Sequence, residues 1–250
     1  MIGCPVFTPY NITTGEINFS EISKYAQLVS DLKFDCVLVG GTTGDWALLT
    51  LIQRKELLLE WVVQSHKHNL KIIFNISDPC LKNVHELLKE SNKLDIWCVL
   101  IMGPQIFKTS NIINYLNISS KECRFMYYHY PELYGYSDVN LQDVVNMDNC
   151  IGLKIVDSDI KLPETNKMLF ISDEEYTTDK CTFTTELNVS FLETDILKQI
   201  NKFTNENGKK SCIRYFIEKM YNINIKYALY PNISINNDDL YNRFVKIISD

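Results

Sequence analysis

The sequence predicts an α/β chain whose parallel strands close into a (β/α)8 TIM barrel. Its outer helices are shortened in the second half, and its C-terminal helical region is truncated. Three observations predict this. Short apolar runs alternate with helix-spaced runs from the start, and the connections between them are short, as in βα units on a parallel sheet. The apolar runs are near-continuous, as in strands covered on both faces. Six of them lie before residue 157 and two more follow, and eight strands close a barrel of this kind. A doubly wound open sheet is the second architecture that the pattern allows.

The elements follow in order. Val6-Phe7 reads as the first strand, stopped at Thr8-Pro9. Phe19 to Leu32 has helical spacing, with Ile22, Tyr25, Ala26, Leu28 and Val29 in one stripe and Asn18 or Ser20 as its cap. Cys36 to Val39 is a strand that enters a glycine-threonine loop. Ile52 to His66 is a second amphipathic helix, and Lys71 to Ile76 a third strand. Asn83 to Asn92 is helical, with Val84, Leu87 and Leu88 inward. Ile96 to Met102 is the fourth strand, followed by a helical stretch from Ser110 to Leu116. Arg124 to Tyr130 is the fifth strand, ended by Pro131. Asn140 to Met147 is helical, and Ile151 to Val156 is the sixth strand.

The second half is thinner. Between Val156 and Met168 there is room for a turn or two of helix, and Pro163 interrupts it. Met168 to Ser172 and Cys181 to Thr184 supply the last two strands, with little chain between them. Helical spacing returns at Phe191 to Phe203, Cys212 to Tyr221 and Leu240 to Ile248. No linker divides the chain. It reads as one domain, residues 1–250, with the barrel over about 1–188 and C-terminal helices over 189–250.

Composition narrows the function. A chain of 250 residues with 46% hydrophobic content can bury one large core. A net charge of −6 and a pI near 5.3 exclude a nucleic-acid surface and a basic patch for anionic membranes. No apolar run reaches the length of a membrane span, and Met1-Ile2-Gly3-Cys4 does not read as a signal peptide, so a cytoplasmic location is expected. The eight cysteines are scattered, with no C-x-x-C pair, and read as buried reduced thiols rather than a metal site.

The chemistry centres on Lys154, which sits inside the apolar run Ile151-Gly152-Leu153-Lys154-Ile155-Val156. Alternation places Ile151, Leu153 and Ile155 on one face and Gly152, Lys154 and Val156 on the other. A buried ammonium must pair, snorkel or lose its proton. A lysine that loses its proton in a dry pocket attacks carbonyl carbon and forms a Schiff base. Residue type alone favours a snorkelling lysine; the surrounding pattern, given below with the resemblance it carries, reverses that preference. Tyr127-Tyr128-His129-Tyr130 puts phenols and an imidazole at a strand's C-terminal end, where parallel barrels carry their chemistry. Tyr128 shares a face with Tyr130 and not with Tyr127 or His129.

Three ordered motifs carry a resemblance. They are Gly40-Gly41-Thr42-Thr43-Gly44-Asp45 with Glu60-Trp61-Val62, Tyr127 to Gly135, and Gly152-Leu153-Lys154. Together they resemble the N-acetylneuraminate lyase branch of the pyruvate-dependent class I aldolases, a superfamily that includes dihydrodipicolinate synthase. The likeness runs from about Thr8 to about Asn188. It implies Lys154 as the Schiff-base lysine and Tyr128 as the proton relay. It also implies Thr42 and Thr43, with the loop amides, as the cradle for the substrate carboxylate. Asp173 and Glu174 match the pair that binds sugar hydroxyls, and Thr184 or Thr185 stands in for a hydroxyl-binding serine. Leu133 replaces the arginine that the synthases use on a second carboxylate, which leans to the lyases.

The resemblance therefore implies reversible cleavage of N-acetylneuraminate to N-acetylmannosamine and pyruvate. It implies no metal, no diffusible cofactor, and a homo-oligomer, usually a tetramer, as partner state. The sequence departs from the pattern at Asp45 for a Glu, Val156 for a Thr or Ser, Ile171 for a glycine, and Gln105-Ile106-Phe107 without the expected tyrosine. These departures keep two alternatives open. One is a catalytically weakened relative retained for binding, and the other an aldolase for another 2-keto acid sugar.

Overall fold

The computed structural model describes residues 1–11, 13–103, 112–121, 123–131, 139–156, 160–172, 181–184, 194–225 and 238–249. Eight parallel strands form a closed barrel in sequence order. They are β1 (Ile2–Pro5), β2 (Cys36–Val39), β3 (Lys71–Asn75), β4 (Cys98–Met102), β5 (Phe125–His129), β6 (Cys150–Ile155), β7 (Met168–Ile171) and β8 (Thr182–Phe183). The pairings Ile2↔Thr182 and Gly3↔Phe183 close the ring, which rules out the open sheet.

Strand alternation sorts the side chains into two layers. Cys36, Leu38, Ile73, Cys98, Leu100, Met102, Met126, Tyr128 and Phe170 fill the barrel interior. Their neighbours Val37, Val39, Ile72, Phe74, Val99, Ile101, Tyr127, Leu153 and Ile155 point outward into the core shared with the helices. Runs that are apolar at every position are the sequence signature of strands buried on both sides.

Two expectations need correction. The first strand is Ile2–Pro5 and not Val6-Phe7. A Cβ on Gly3 would lie 2.4 Å from the Phe183 ring, so the strand needs glycine to sit against β8. Val6 only continues the ladder, its N–H donating to Leu38 O at 3.2 Å. Second, Ile151 does not share a face with Leu153 and Ile155; it packs against the interior cluster. The register steps from Phe125↔Cys150 to Met126↔Gly152, so Ile151 is the extra residue of a bulge. Gly152 is required there because a Cβ would lie 2.2 Å from Met168 O.

The outer helices are α1 (Phe19–Asp31), α2 (Leu51–His68), α3 (Leu81–Ser91), α4 (Ile112–Ser120) and α5 (Leu141–Val145). Thr50 caps α2 with Gln53 in a capping box, and the Asn140 side chain caps α5. Among the described residues no helix lies between β6 and β7. Three helices follow the barrel: α6 (Thr194–Glu206), α7 (Lys209–Tyr221) and α8 (Asp238–Ser249). Phe216 on α7 stacks on Phe244 of α8 at 4.1 Å between centroids and contacts Phe203 of α6 at 6.1 Å. This aromatic cluster fixes α7, whose first turns reach the loops after β1 and β2.

No two of the eight cysteines are bonded. Burial pushes the Cys36 and Cys98 thiols up, so they are inert in the barrel interior. Among the described residues no helix is long and apolar enough to cross a membrane.

Candidate active site

Lys154 is the penultimate residue of β6, and its side chain enters the barrel interior, 5% exposed. Its register partner on β5 is Tyr128, so amine and phenol come from neighbouring strands at one level. The Lys154 Nζ lies 3.6 Å from the Tyr128 ring centroid and 5.6 Å from that of Phe183. The aromatic faces favour the ammonium, whereas burial favours the neutral amine. Burial dominates and lowers the Lys154 pKa from 10.5 to about 7. The result is an amine that is about half unprotonated near pH 7.

A cavity of about 400 Å³ opens beside it at the C-terminal end of the strands. Tyr128, Lys154 and Val156 line one side, Thr42 and Thr43 another, and Ser172, Phe183 and Thr184 a third. A wider depression of about 1040 Å³ lies at the opposite end of the barrel, against Asp35, Lys71 and Arg124. It is remote from Lys154, and in this fold the strand C-termini carry the chemistry. The smaller cavity is therefore the candidate site.

The loop after β2 is held from several directions. Asn75 Nδ2 donates to Gly40 O at 2.8 Å, and Thr8 Oγ1 donates to Gly44 O at 2.7 Å. Gly40 has φ 64°, and a Cβ on Gly44 would come within 3.0 Å of Val6 O, so both positions favour glycine. Asp45 follows in a left-handed conformation, φ 56°, and its carboxylate is buried. The loop presents Thr42 Oγ1 as a buried hydroxyl with no partner among the described residues. Such a group costs free energy unless a ligand bonds to it, which suits a site that takes an anion.

Other sequence-predicted positions fall variously. Thr184 follows β8, is buried, and donates its N–H to Gly3 O at 3.1 Å. Asp173, Glu174 and Thr185 lie outside the described residues, as do Leu133 and Gln105-Ile106-Phe107. Ile171 is not among the described residues that line the cavity; its carbonyl accepts from Thr182 Oγ1 at 3.0 Å. Val156 does line it, so the barrel mouth has an apolar wall there.

Residues 2–172 match the model of the dihydrodipicolinate synthetase family. The chain belongs to that family. It is 27% identical over 158 residues to the N-acetylneuraminate lyase of Rattus norvegicus, covering 58% of this chain and 49% of the relative. To the N-acetylneuraminate lyase of Homo sapiens it is 29% identical over 160 residues, with the same coverage of 58% and 49%. The chain spans about half the length of the curated relatives it matches. Among solved structures it superposes on Proteus mirabilis N-acetylneuraminate lyase with a TM-score of 0.86 at 17% identity, over 98% of this chain and 97% of that one. A dihydrodipicolinate synthase from Bacillus anthracis gives a TM-score of 0.85 at 14% identity, over 100% of this chain and 97% of that one. At such identities the structural likeness is one of fold.

This member of the dihydrodipicolinate synthetase family also brings residues to the site that sequence reasoning missed. Lys209, Lys210 and Ile213, all on α7, line the cavity, and Ser172 does so from the end of β7. Arg214 Nη2 donates to Asp45 Oδ2 at 2.6 Å, with both side chains almost fully buried. Arg214 Nη1 also donates to Thr8 O at 2.9 Å and to Ile225 O. Lys210 Nζ donates to Asp45 Oδ1 at 3.2 Å and to Thr42 O. No local sequence pattern marks them: burial at six consecutive positions, 212–217, shows only in the fold, where the charge inside that run needs a buried partner.

Proposed function

We propose that the chain is a class I aldolase/lyase that reversibly cleaves N-acetylneuraminate to N-acetylmannosamine and pyruvate through a Schiff base on Lys154. The observation that carries this reading is a buried lysine with a lowered pKa, in a cavity it shares with a phenol and a threonine-bearing loop. Thr42 and Thr43 hold the carboxylate of the keto acid. The Lys154 amine attacks C2, and water leaves to give the protonated Schiff base. The C3–C4 bond then breaks, its electron pair moving toward the iminium while Tyr128 takes the C4 hydroxyl proton and passes its own phenol proton to the substrate carboxylate. The aldehyde departs. The remaining enamine is protonated at C3, and water hydrolyses the Schiff base to release pyruvate and the free amine.

Asp173, Glu174 and Thr184 serve the sugar hydroxyls in this reading. The whole chain, residues 1–250, works as one domain, a cytoplasmic homo-oligomer. The apolar Val156 supports a second reading, an aldolase for a 2-keto acid sugar with one fewer hydrogen-bonding group near the lysine.

The test is borohydride reduction in the presence of pyruvate, followed by peptide mass mapping, beside a cleavage assay with N-acetylneuraminate. A pyruvyl adduct on Lys154 and sialic acid cleavage are expected. Tyr128→Phe keeps the ring face over the amine and should keep the adduct, while cleavage falls by roughly 10²- to 10⁴-fold. An unmodified chain, or label on another lysine, refutes the mechanism. An adduct without sialic acid cleavage moves the assignment to the second reading.

A further inference from the structure

We propose that Lys210, in the first turn of α7, is a substrate-binding residue that completes the carboxylate cradle formed by Thr42 and Thr43. The inference rests on the proposed Schiff-base reading and adds a residue to that site which the β2 loop does not contain. Three observations carry it. Lys210 lines the same cavity as Thr42, Thr43 and Lys154. Its ammonium has three donors; Thr42 O and Asp45 Oδ1 take two, and the 40% exposed side chain leaves the third to the cavity. Beside it, the Thr42 hydroxyl is buried with no partner among the described residues. A free N–H on a cation and an orphaned hydroxyl on one loop form a two-point site for a carboxylate.

The local charge agrees. Among the described residues Asp45 meets two cations, Arg214 and Lys210, so these three groups hold one positive charge in excess. Arg214 is buried, and its guanidinium donates to the Asp45 carboxylate and to the carbonyls of Thr8 and Ile225. The excess therefore faces the cavity through Lys210. Arg214 and Asp45 are positioning residues: they fix where the ammonium stands relative to Thr42.

The experiment compares pyruvate with its neutral methyl ester. The 250-residue chain and its Lys210→Ala and Lys210→Arg variants are titrated with each compound under borohydride, and adduct on Lys154 is read by mass. Loss of a charge-assisted hydrogen bond should raise the pyruvate concentration for half-maximal trapping in Lys210→Ala by about tenfold or more. Trapping of the ester should change by less than about twofold, and Lys210→Arg should keep most of the preference for the acid. A variant that only disturbs the loop or the fold would lose acid and ester alike, and that result overturns the role. An unchanged pyruvate titration in Lys210→Ala also overturns it while leaving the Schiff-base mechanism standing. No adduct with either compound in the parent chain overturns the mechanism itself, and the Lys210 assignment with it.

Discussion

Lys154→Met should make the protein more stable, and the gain should shrink as pH rises. The folded pKa of Lys154 is about 7 against 10.5 for a free lysine. Between those values the unfolded chain binds a proton that the native chain does not, so native stability rises with pH, at most ~1.4 kcal/mol per unit. Below about pH 7 both states are protonated and the native state bears the whole cost of a buried ammonium, about 5 kcal/mol. Above 10.5 the cost has gone. Contact with the Tyr128 ring at 3.6 Å favours the ammonium and reduces these figures. Methionine fills a similar volume without the charge. At pH 7 the variant should therefore be more stable by about 3 kcal/mol, and by pH 9 the advantage should fall by about 2 kcal/mol.

Urea unfolding of both proteins from pH 6 to pH 9 reads this directly. The buried thiols Cys36, Cys98, Cys150 and Cys212 have raised pKa values, so they destabilise the fold once alkali ionises them in the unfolded chain. That contribution is common to both proteins and cancels in the difference. A stability difference that stays constant across the range would mean that Lys154 titrates as a normal lysine. The basis for its nucleophilicity at neutral pH would then be lost.

Two further outcomes test the scaffold around the site. Arg214→Met leaves Asp45, among the described residues, with only the 40% exposed Lys210 as ion-pair partner and should cost about 3 kcal/mol in urea unfolding. Adding Asp45→Asn should recover part of that loss; a double variant no better than the sum of the singles would mean the pair is not coupled. Gly152→Ala drives a methyl group toward Met168 O, 2.2 Å away, and should cost about 3 kcal/mol or more. A melting temperature within a degree of the parent would show that β6 and β7 part easily and that the bulge is not held by close packing.

Most of the barrel was legible because its strands obey one rule, burial on both faces, which leaves uninterrupted apolar runs such as Cys98–Met102. β1 broke the rule: Gly3 and Pro5 lower its apolar content, and its place is set by contact with Phe183, 180 residues away in the chain. The bulge at Ile151 was invisible for a similar reason. Strict alternation describes a strand taken alone, whereas the step in register belongs to the pair β5–β6.

The site divides along the same line. Lys154 stands out as a charge in an apolar strand, Tyr128 was legible only through the motifs that carry the resemblance, and the structure puts the two opposite each other. Thr42 and Thr43 were legible through the resemblance; the glycines around them mark close backbone approach but by themselves signal only a turn. Lys210 and Arg214 carry no such local mark, since lysine and arginine near the start of a helix ordinarily read as solvated. Their meaning comes from Asp45, 165 and 169 residues earlier, and from the aromatic cluster that presses α7 onto the barrel mouth. A buried Asp45 on a strained loop would be costly alone; a buried Arg214 on α7 would be costly alone. Each accounts for the other, and their pairing sets Lys210 beside the Thr42 carbonyl. Helix α7 thus helps to shape the cavity as well as covering the barrel.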